Sequence, residues 1–381
     1  MEALRFSTAL RDDVRRRMEH IGETDLLIGI PSYNTQSTIA HVIEMAAEGL
    51  YRYYPRLHSL IFVSDGGSVD DTREVARSVD ISTYQVEKIV TIYRGYPGKG
   101  SAVRAIFEAA KYLRARAVVL LDSDLRSIRP EWIPNLVEPV IEEGYDFVAP
   151  YYLRYKYDGT ITNTIAYNLV RALYGKRVRQ PIGGDFAMSR PLVRAYLEEE
   201  VWETDVARFG IDVWLTINAI VKGFRIIQAQ LGVKIHNVKD PAEHLGPMFR
   251  QVVGTLFTTM EHYEKTWKSI AGSEEVPIRS MYPIEGRVEP FHIDVDALIE
   301  YFRLGFQNFG PVWERIVSEE SFQVLKTLAS RRTRRKKFLL PEEVWARIVY
   351  DFAVYYHHTP RQRGIFGSVF ISRIICEYPK I

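Results

Sequence analysis

Ala117-Val118-Val119-Leu120-Leu121-Asp122-Ser123-Asp124 decides the fold. Five apolar residues read as a buried strand, and two carboxylates two positions apart follow it directly. Side chains alternate along a strand, so residues i and i+2 share a face. Two oxygen donors leaving a sheet edge together suit a hard divalent cation held against a diphosphate. Taken alone the pair equally suits a helix cap or a solvated turn, so the flanking sequence has to decide.

Upstream, the same grammar recurs. Leu26-Leu27-Ile28-Gly29-Ile30, Leu60-Ile61-Phe62-Val63 and Lys88-Ile89-Val90-Thr91-Ile92-Tyr93 each read as a strand, with helical periodicity from Thr38 to Tyr53. Strand, loop and helix repeated at this spacing predict an α/β domain with a mostly parallel central sheet, Rossmann-like in layout. Downstream, Asp146 to Tyr152 is a fifth strand, Ile161 to Tyr174 a helix, and Phe224 to Ala229 a late strand leading to His236. A polar amphipathic helix fills 1–24, the main domain spans 25–280, and 290–381 reads as a helical region with aromatic stripes. Its aromatics Tyr350, Phe352, Tyr355 and Tyr356 are expected in core or dimer packing.

Composition removes several function classes. Fifty basic against 48 acidic residues leave a net charge of +2, so no global field favours nucleic acid or a membrane surface. The basic run Arg331-Arg332-Thr333-Arg334-Arg335-Lys336-Lys337 could meet an anionic partner, but in an otherwise neutral chain a solvated helix face or an oligomer contact is the expectation. A single cysteine, Cys376, excludes an intrachain disulfide and any cysteine-based zinc site. No apolar stretch reaches the roughly 18 residues of a membrane span, and a cytoplasmic protein is the expectation.

Ligands of open parallel sheets bind beyond the carboxyl ends of the strands. The loops there carry unusual chemistry. Pro31-Ser32-Tyr33-Asn34 offers an aromatic face and an amide for a base or ribose. Asp65-Gly66-Gly67-Ser68 follows the second strand, and Pro97-Gly98-Lys99-Gly100 the third, where glycines admit close approach and Lys99 supplies a cation for phosphate. The spacing is neither that of a P-loop nor the GxGxxG of dinucleotide folds. His236 is a fitting third ligand beside carboxylates for Mg²⁺ or Mn²⁺.

In this order, with Gln180-Pro181-Ile182-Gly183-Gly184-Asp185, Gly210-Ile211-Asp212 and Gly232-Val233-Lys234-Ile235-His236, the motifs resemble the retaining GT-A glycosyltransferases that make glucosyl-3-phosphoglycerate, glucosylglycerate and mannosylglycerate. The resemblance covers about residues 25–265. It implies a nucleotide-sugar donor (UDP-glucose, GDP-glucose or GDP-mannose), a divalent metal and a three-carbon acid acceptor. Carried over, Pro31, Ser32, Tyr33, Asn34, Asp65, Gly98, Lys99, Gly100, Asp122, Ser123 and Asp124 hold the nucleotide sugar. Asp122, Asp124 and His236 ligate the metal. Asp185 and Asp212 bind donor-sugar hydroxyls near the reaction centre and, with Lys99, form the catalytic set. The family has glutamate where Asp185 stands.

The acceptor segment separates the relatives. The phosphoglycerate enzymes place a glycine-arginine pair before a threonine; here Thr160 stands at the arginine position of Asp158-Gly159-Thr160-Ile161-Thr162. Mannosylglycerate synthases place an arginine a few residues upstream of such a segment, as Arg154 stands here. The acceptor residues implied are Arg154, Asp158, Thr160, Ile161, Thr162, Gly183 and Gly184. The expected reaction is transfer of glucose or mannose to the 2-hydroxyl of D-glycerate by a homodimer. The alternatives are 3-phosphoglycerate as acceptor, an inverting GT-A transferase, or a nucleotide-sugar-binding module without turnover.

Overall fold

A computed structural model describes residues 6–236, 241–290, 294–330 and 338–359, with 241–245 as backbone alone. The basic run 331–337 and Cys376 lie outside the described residues. In chain order the elements are α1 (Asp12–Ile21), β1 (Leu26–Ser32), α2 (Ile39–Tyr53), β2 (Ser59–Asp65), α3 (Thr72–Ser78), β3 (Glu87–Ile92), α4 (Lys99–Tyr112) and β4 (Ala117–Leu120). There follow α5 (Trp132–Ile141), β5 (Phe147–Leu153), α6 (Tyr167–Tyr174), β6 (Lys176–Arg177), β7 (Phe186–Ser189), α7 (Arg190–Leu197), α8 (Ile211–Val221) and β8 (Ile226–Val233). The chain closes with α9 (Pro241–His262), α10 (Glu264–Trp267), β9 (Glu274–Glu275), β10 (Ile278–Arg279), α11 (Val295–Ile316), α12 (Glu319–Ala329) and α13 (Glu342–His358).

Eight strands form one sheet in the order β10-β8-β5-β7-β4-β1-β2-β3. All pairings are parallel except those of β7, which runs against both β4 and β5. The strands are apolar throughout because both faces are covered. Leu27, Leu60, Phe62, Val118 and Leu120 point into one core beneath α4, α7 and α8. Their neighbours Ile28, Ile61, Val63 and Val119 point into the other, beneath α2 and α5. The strand alternation alone sorts these residues onto opposite faces.

A third core is all-helical. Phe302, Trp313, Leu325, Trp345 and Phe352 of α11–α13 pack with Ile165, Leu169, Val213, Ile217, Phe249 and Phe257. The aromatic stripe is thus partly core: Phe352 and Tyr356 are buried, whereas Tyr350 is exposed. The C-terminal helices extend the core of the main domain instead of enclosing one of their own.

Candidate active site

The carboxyl ends of β1, β2, β3, β4, β5 and β8 share one edge of the sheet. Because β7 runs the other way, the residue that precedes it arrives at this same edge. That residue is Asp185, and its Oδ1 accepts from the backbone N of Asp122 at 2.8 Å.

Five charged side chains meet there. Lys99, the first residue of α4, donates to Asp122 Oδ1 at 2.8 Å and lies within 3.1 Å of both carboxylate oxygens of Asp212. Lys234, one residue past β8, donates to Asp122 Oδ2 at 2.7 Å, to Asp185 Oδ2 at 2.8 Å and to the Gly183 carbonyl at 2.8 Å. The Tyr152 hydroxyl of β5 also donates to Asp185 Oδ2. The Lys234 side chain is 3% exposed, and Asp185 is fully buried. Burial pushes the Asp122 carboxyl up, but the ammonium groups of Lys234 and Lys99 outweigh it and hold it well below the usual carboxylate range. Burial would lower Lys99; Asp122 and Asp212 keep it above its ordinary value. For Asp185 and Asp212 burial wins, and both carboxyls are raised despite the lysines beside them.

Several expectations change at this point. Strand β4 ends at Leu120, so Asp122 and Asp124 do not share a strand face; Asp124 stands in the turn that follows. Asp185 is not open to a substrate, because it is fully buried and three donors, Lys234, Tyr152 and the Asp122 amide, hold it. Asp212 is only 5% exposed and bound to Lys99. Asp65 is likewise spent: the hydroxyls of Ser32 and Ser68 and the amides of Gly67 and Ser68 fill its four acceptor sites. It stitches the first two loops together, and Asn34 helps by accepting from the Val69 amide at 2.9 Å. Ser123 is buried too, its carbonyl accepting from Thr38 Oγ1 at 2.8 Å. Of Pro31 to Asn34, Tyr33 offers the open face, 59% exposed.

The glycines serve the protein's own packing. Gly98 and Gly100 make room for the backbone of 206–208, and the Gly100 amide donates to the Arg208 carbonyl at 3.1 Å. Gly184 has φ +83°, and a Cβ there would collide with the Asp122 carboxylate; one on Gly183 would strike the Pro150 ring. The requirement for glycine at these four positions is met within the protein itself.

His236 forms an isolated antiparallel bridge with Leu125. The backbone therefore sets His236 beside the residue after Asp124. Its Nε2 lies 3.7 Å from Asp158 Oδ1. Among the described residues no three His, Cys, Asp or Glu side chains form a metal cluster, since both Asp122 oxygens face lysines. Asp124 and His236 still suit a hard cation that draws its other ligands from substrate phosphates and water, the usual habit of Mg²⁺.

Arg154 lies 3.5 Å from Asp158, with its guanidinium over the Tyr152 ring at 5.4 Å. Burial raises the Asp158 carboxyl, but His236 and Arg154 prevail and hold it at about 2. The helix opens at Thr160 and passes through a π-turn over Thr162–Ala166. Thr162 is buried within that turn, and Ile161 belongs to the helical core, so neither faces a ligand. Arg154, Asp158 and half-buried Thr160 remain at the edge. Lys234, to which the sequence motif assigns no role, lies at the centre of the cluster; its only local signal is a lysine directly after an apolar strand.

Residues 27–201 match the family model described as Glycosyl transferase family 2. That segment holds most of the central sheet, so the chain carries a glycosyltransferase domain of the GT-A fold, followed by a C-terminal helical region. Its curated relatives include a glucosyl-3-phosphoglycerate synthase of Mycobacterium tuberculosis, 29% identical over 249 residues, covering 60% of this chain and 71% of that protein. The Petrotoga mobilis protein of the same name is 25% identical over 262 residues, covering 64% and 75%. A crystal structure of the M. tuberculosis enzyme with Mn²⁺, uridine diphosphate and glucosyl-3-phosphoglycerate aligns at TM-score 0.48 and 26% identity, over 62% of this chain and 79% of that one.

Proposed function

We propose that this glycosyltransferase moves glucose from a nucleoside diphosphate glucose to 3-phosphoglycerate, with retention at the anomeric carbon. The observation that carries the reading is that relatives from two genera bear one name, glucosyl-3-phosphoglycerate synthase. This shifts the acceptor from the free glycerate expected of the sequence. A second reading, glycerate itself, rests on Thr160: it lacks the bidentate phosphate donor of the arginine that the family carries there.

In this reading the exposed Tyr33 ring stacks on the donor base. Lys99 lies where negative charge builds on the departing diphosphate, in a site low in water where such charge stabilisation is strongest. Asp122 locks Lys99 and Lys234 in place, and Asp185 secures Lys234 from behind. A divalent cation, Mg²⁺ or Mn²⁺, held by Asp124 and His236 with Asp122 nearby, supplies further neutralisation when bound. Arg154 pairs with the acceptor carboxylate or phosphate.

Double displacement needs a free carboxylate beneath the anomeric carbon. Asp185 is fully buried and held by three donors, and Asp212 is held by Lys99, which favours same-face attack. The bond from the anomeric carbon to the phosphate oxygen breaks, the acceptor's 2-hydroxyl oxygen takes its place, and its proton passes to the leaving diphosphate. The homodimer belongs to the same reading, through the exposed apolar side chains Tyr301, Leu304, Tyr350 and Val354 of α11 and α13; sedimentation measures it directly.

The test incubates the protein with Mg²⁺ or Mn²⁺, each of UDP-glucose, GDP-glucose and GDP-mannose, and either 3-phosphoglycerate or D-glycerate. Released nucleotide is followed, and product NMR gives the anomeric configuration. Turnover on 3-phosphoglycerate with retention is expected. Turnover on glycerate alone selects the second reading, and an inverted product or no acid-dependent release overturns both.

A further inference from the structure

We infer that Trp345, in the first turn of α13, is a positioning residue for the acceptor segment, holding its helix in the π form. The inference rests on the proposed role of Arg154 to Thr160 in acceptor binding. A π-turn contains one residue more than the α-helix it interrupts, and such turns recur at functional sites. In this one the Tyr167 amide reaches back to the Thr162 carbonyl, five residues away. Side chains supply the remaining ties: Thr164 Oγ1 donates to the Thr160 carbonyl at 2.8 Å, and Asn168 Nδ2 to the carbonyls of Asn163 and Thr164 at 3.1 and 3.2 Å.

One donor comes from far along the chain. Trp345 Nε1 donates to the Thr164 carbonyl at 3.0 Å in a buried hydrogen bond. Its ring lies in the helical core that also holds Ile161, Ile165 and Leu169. The indole therefore grips the turn both by packing and by a directed bond.

The geometry gives that grip a consequence at the site. An α-helix advances about 100° per residue. Relaxation of the π-turn to regular helix would rotate Thr160 and the preceding loop by about that angle relative to α6. Asp158, which sits between Arg154 and His236, would be carried off with it. On the donor side, Tyr33, Lys99 and Asp122 stand on other elements, and the one contact with this segment is that of His236 with Asp158.

Trp345→Phe keeps a ring in the core and removes the N–H. Loss of one buried hydrogen bond of ordinary strength corresponds to about a fivefold change. The acceptor KM should rise by about that factor, while donor KM and kcat change less and Tm falls by no more than a few degrees. Hydrogen exchange of amides 160–168 should quicken similarly, with the β1–β4 amides unchanged. Trp345→His, which returns a ring N–H, should recover part of both effects. Unchanged exchange at 160–168 in W345F overturns the inference, as does a loss spread evenly over donor KM, acceptor KM and Tm. If the wild type turns over neither acid, the function proposed above fails, and the exchange experiment still decides whether Trp345 holds the turn.

Discussion

Lys234→Met removes the charge that two buried carboxylates share. The lysine Nζ lies 2.7 Å from Asp122 and 2.8 Å from Asp185, and its side chain is 3% exposed, so water cannot take its place. Breaking a buried ion pair by deleting one partner costs about 3–5 kcal/mol, because the surviving charge stays desolvated. Unfolding entropy runs at about 2.1 cal/mol/K per residue, or about 0.8 kcal/mol/K for a chain of 381 residues. A loss of about 4 kcal/mol therefore lowers Tm by about 5 °C. The carboxyl of Asp185 is already raised by burial, so removing the lysine drives it toward the neutral acid. Adding Asp185→Asn should then return at least half of the lost stability, since the amide oxygen can still accept from Tyr152 or the Asp122 amide. Calorimetry and urea unfolding of the two single variants and the double variant complete the cycle. A Lys234→Met protein within about 1 kcal/mol of wild type, or a double variant no better than the single, would refute this account of the cluster.

Gly184→Ala should cut turnover more than about tenfold and lower Tm, because a left-handed alanine costs about 1–2 kcal/mol and its methyl displaces Asp122; steady-state kinetics with a melting curve check it. Asp158→Asn should lose about 2 kcal/mol at neutral pH. The folded carboxyl sits at about 2 against 3.8 otherwise, so its contribution is complete above pH 4 and fades as pH falls through 2; the gap between variant and wild type in acid unfolding should close over that range. Asp124→Ala should lower metal-dependent turnover on the order of a hundredfold with the far-UV spectrum intact, and Mn²⁺ titration followed by EPR should show weaker binding. Tyr33→Ala should raise the donor KM with little effect on the acceptor KM, read from initial rates.

Strands were the most legible part of this sequence. Leu26 to Ile30, Leu60 to Val63 and Ala117 to Leu121 are apolar on both alternating faces, which only a doubly covered sheet requires. Strand β7 escaped because Phe186–Ser189 is four residues long and directly precedes a helix. Missing it also hid why Asp185 stands at the ligand edge and why its carboxylate turns inward. The site residues were legible as a set, but their division of labour was not. Asp65, Asp122 and Asp185 all stand at or next to strand ends, and nothing local says whether a carboxylate faces solvent or a lysine more than a hundred residues away, as Lys234 is from Asp122. The π-turn was invisible for the same reason, since its donors include a tryptophan from the other end of the chain.

That last separation governs how the molecule comes together. Lys99, Asp122, Asp185 and Lys234 and the elements that flank them have all been made once Lys234 emerges, so the nucleotide half has its material well before α13 is synthesised. The acceptor helix waits for a tryptophan 181 residues beyond Thr164, and closing so long a loop is slow compared with local pairing. A nascent chain will thus hold a formed nucleotide floor while its acceptor wall is still unfinished. Pulse-labelled exchange during refolding should find the amides of β1–β4 protected before those of 160–168. Under the proposed roles, the means to bind a nucleotide sugar are in place before the means to choose an acceptor.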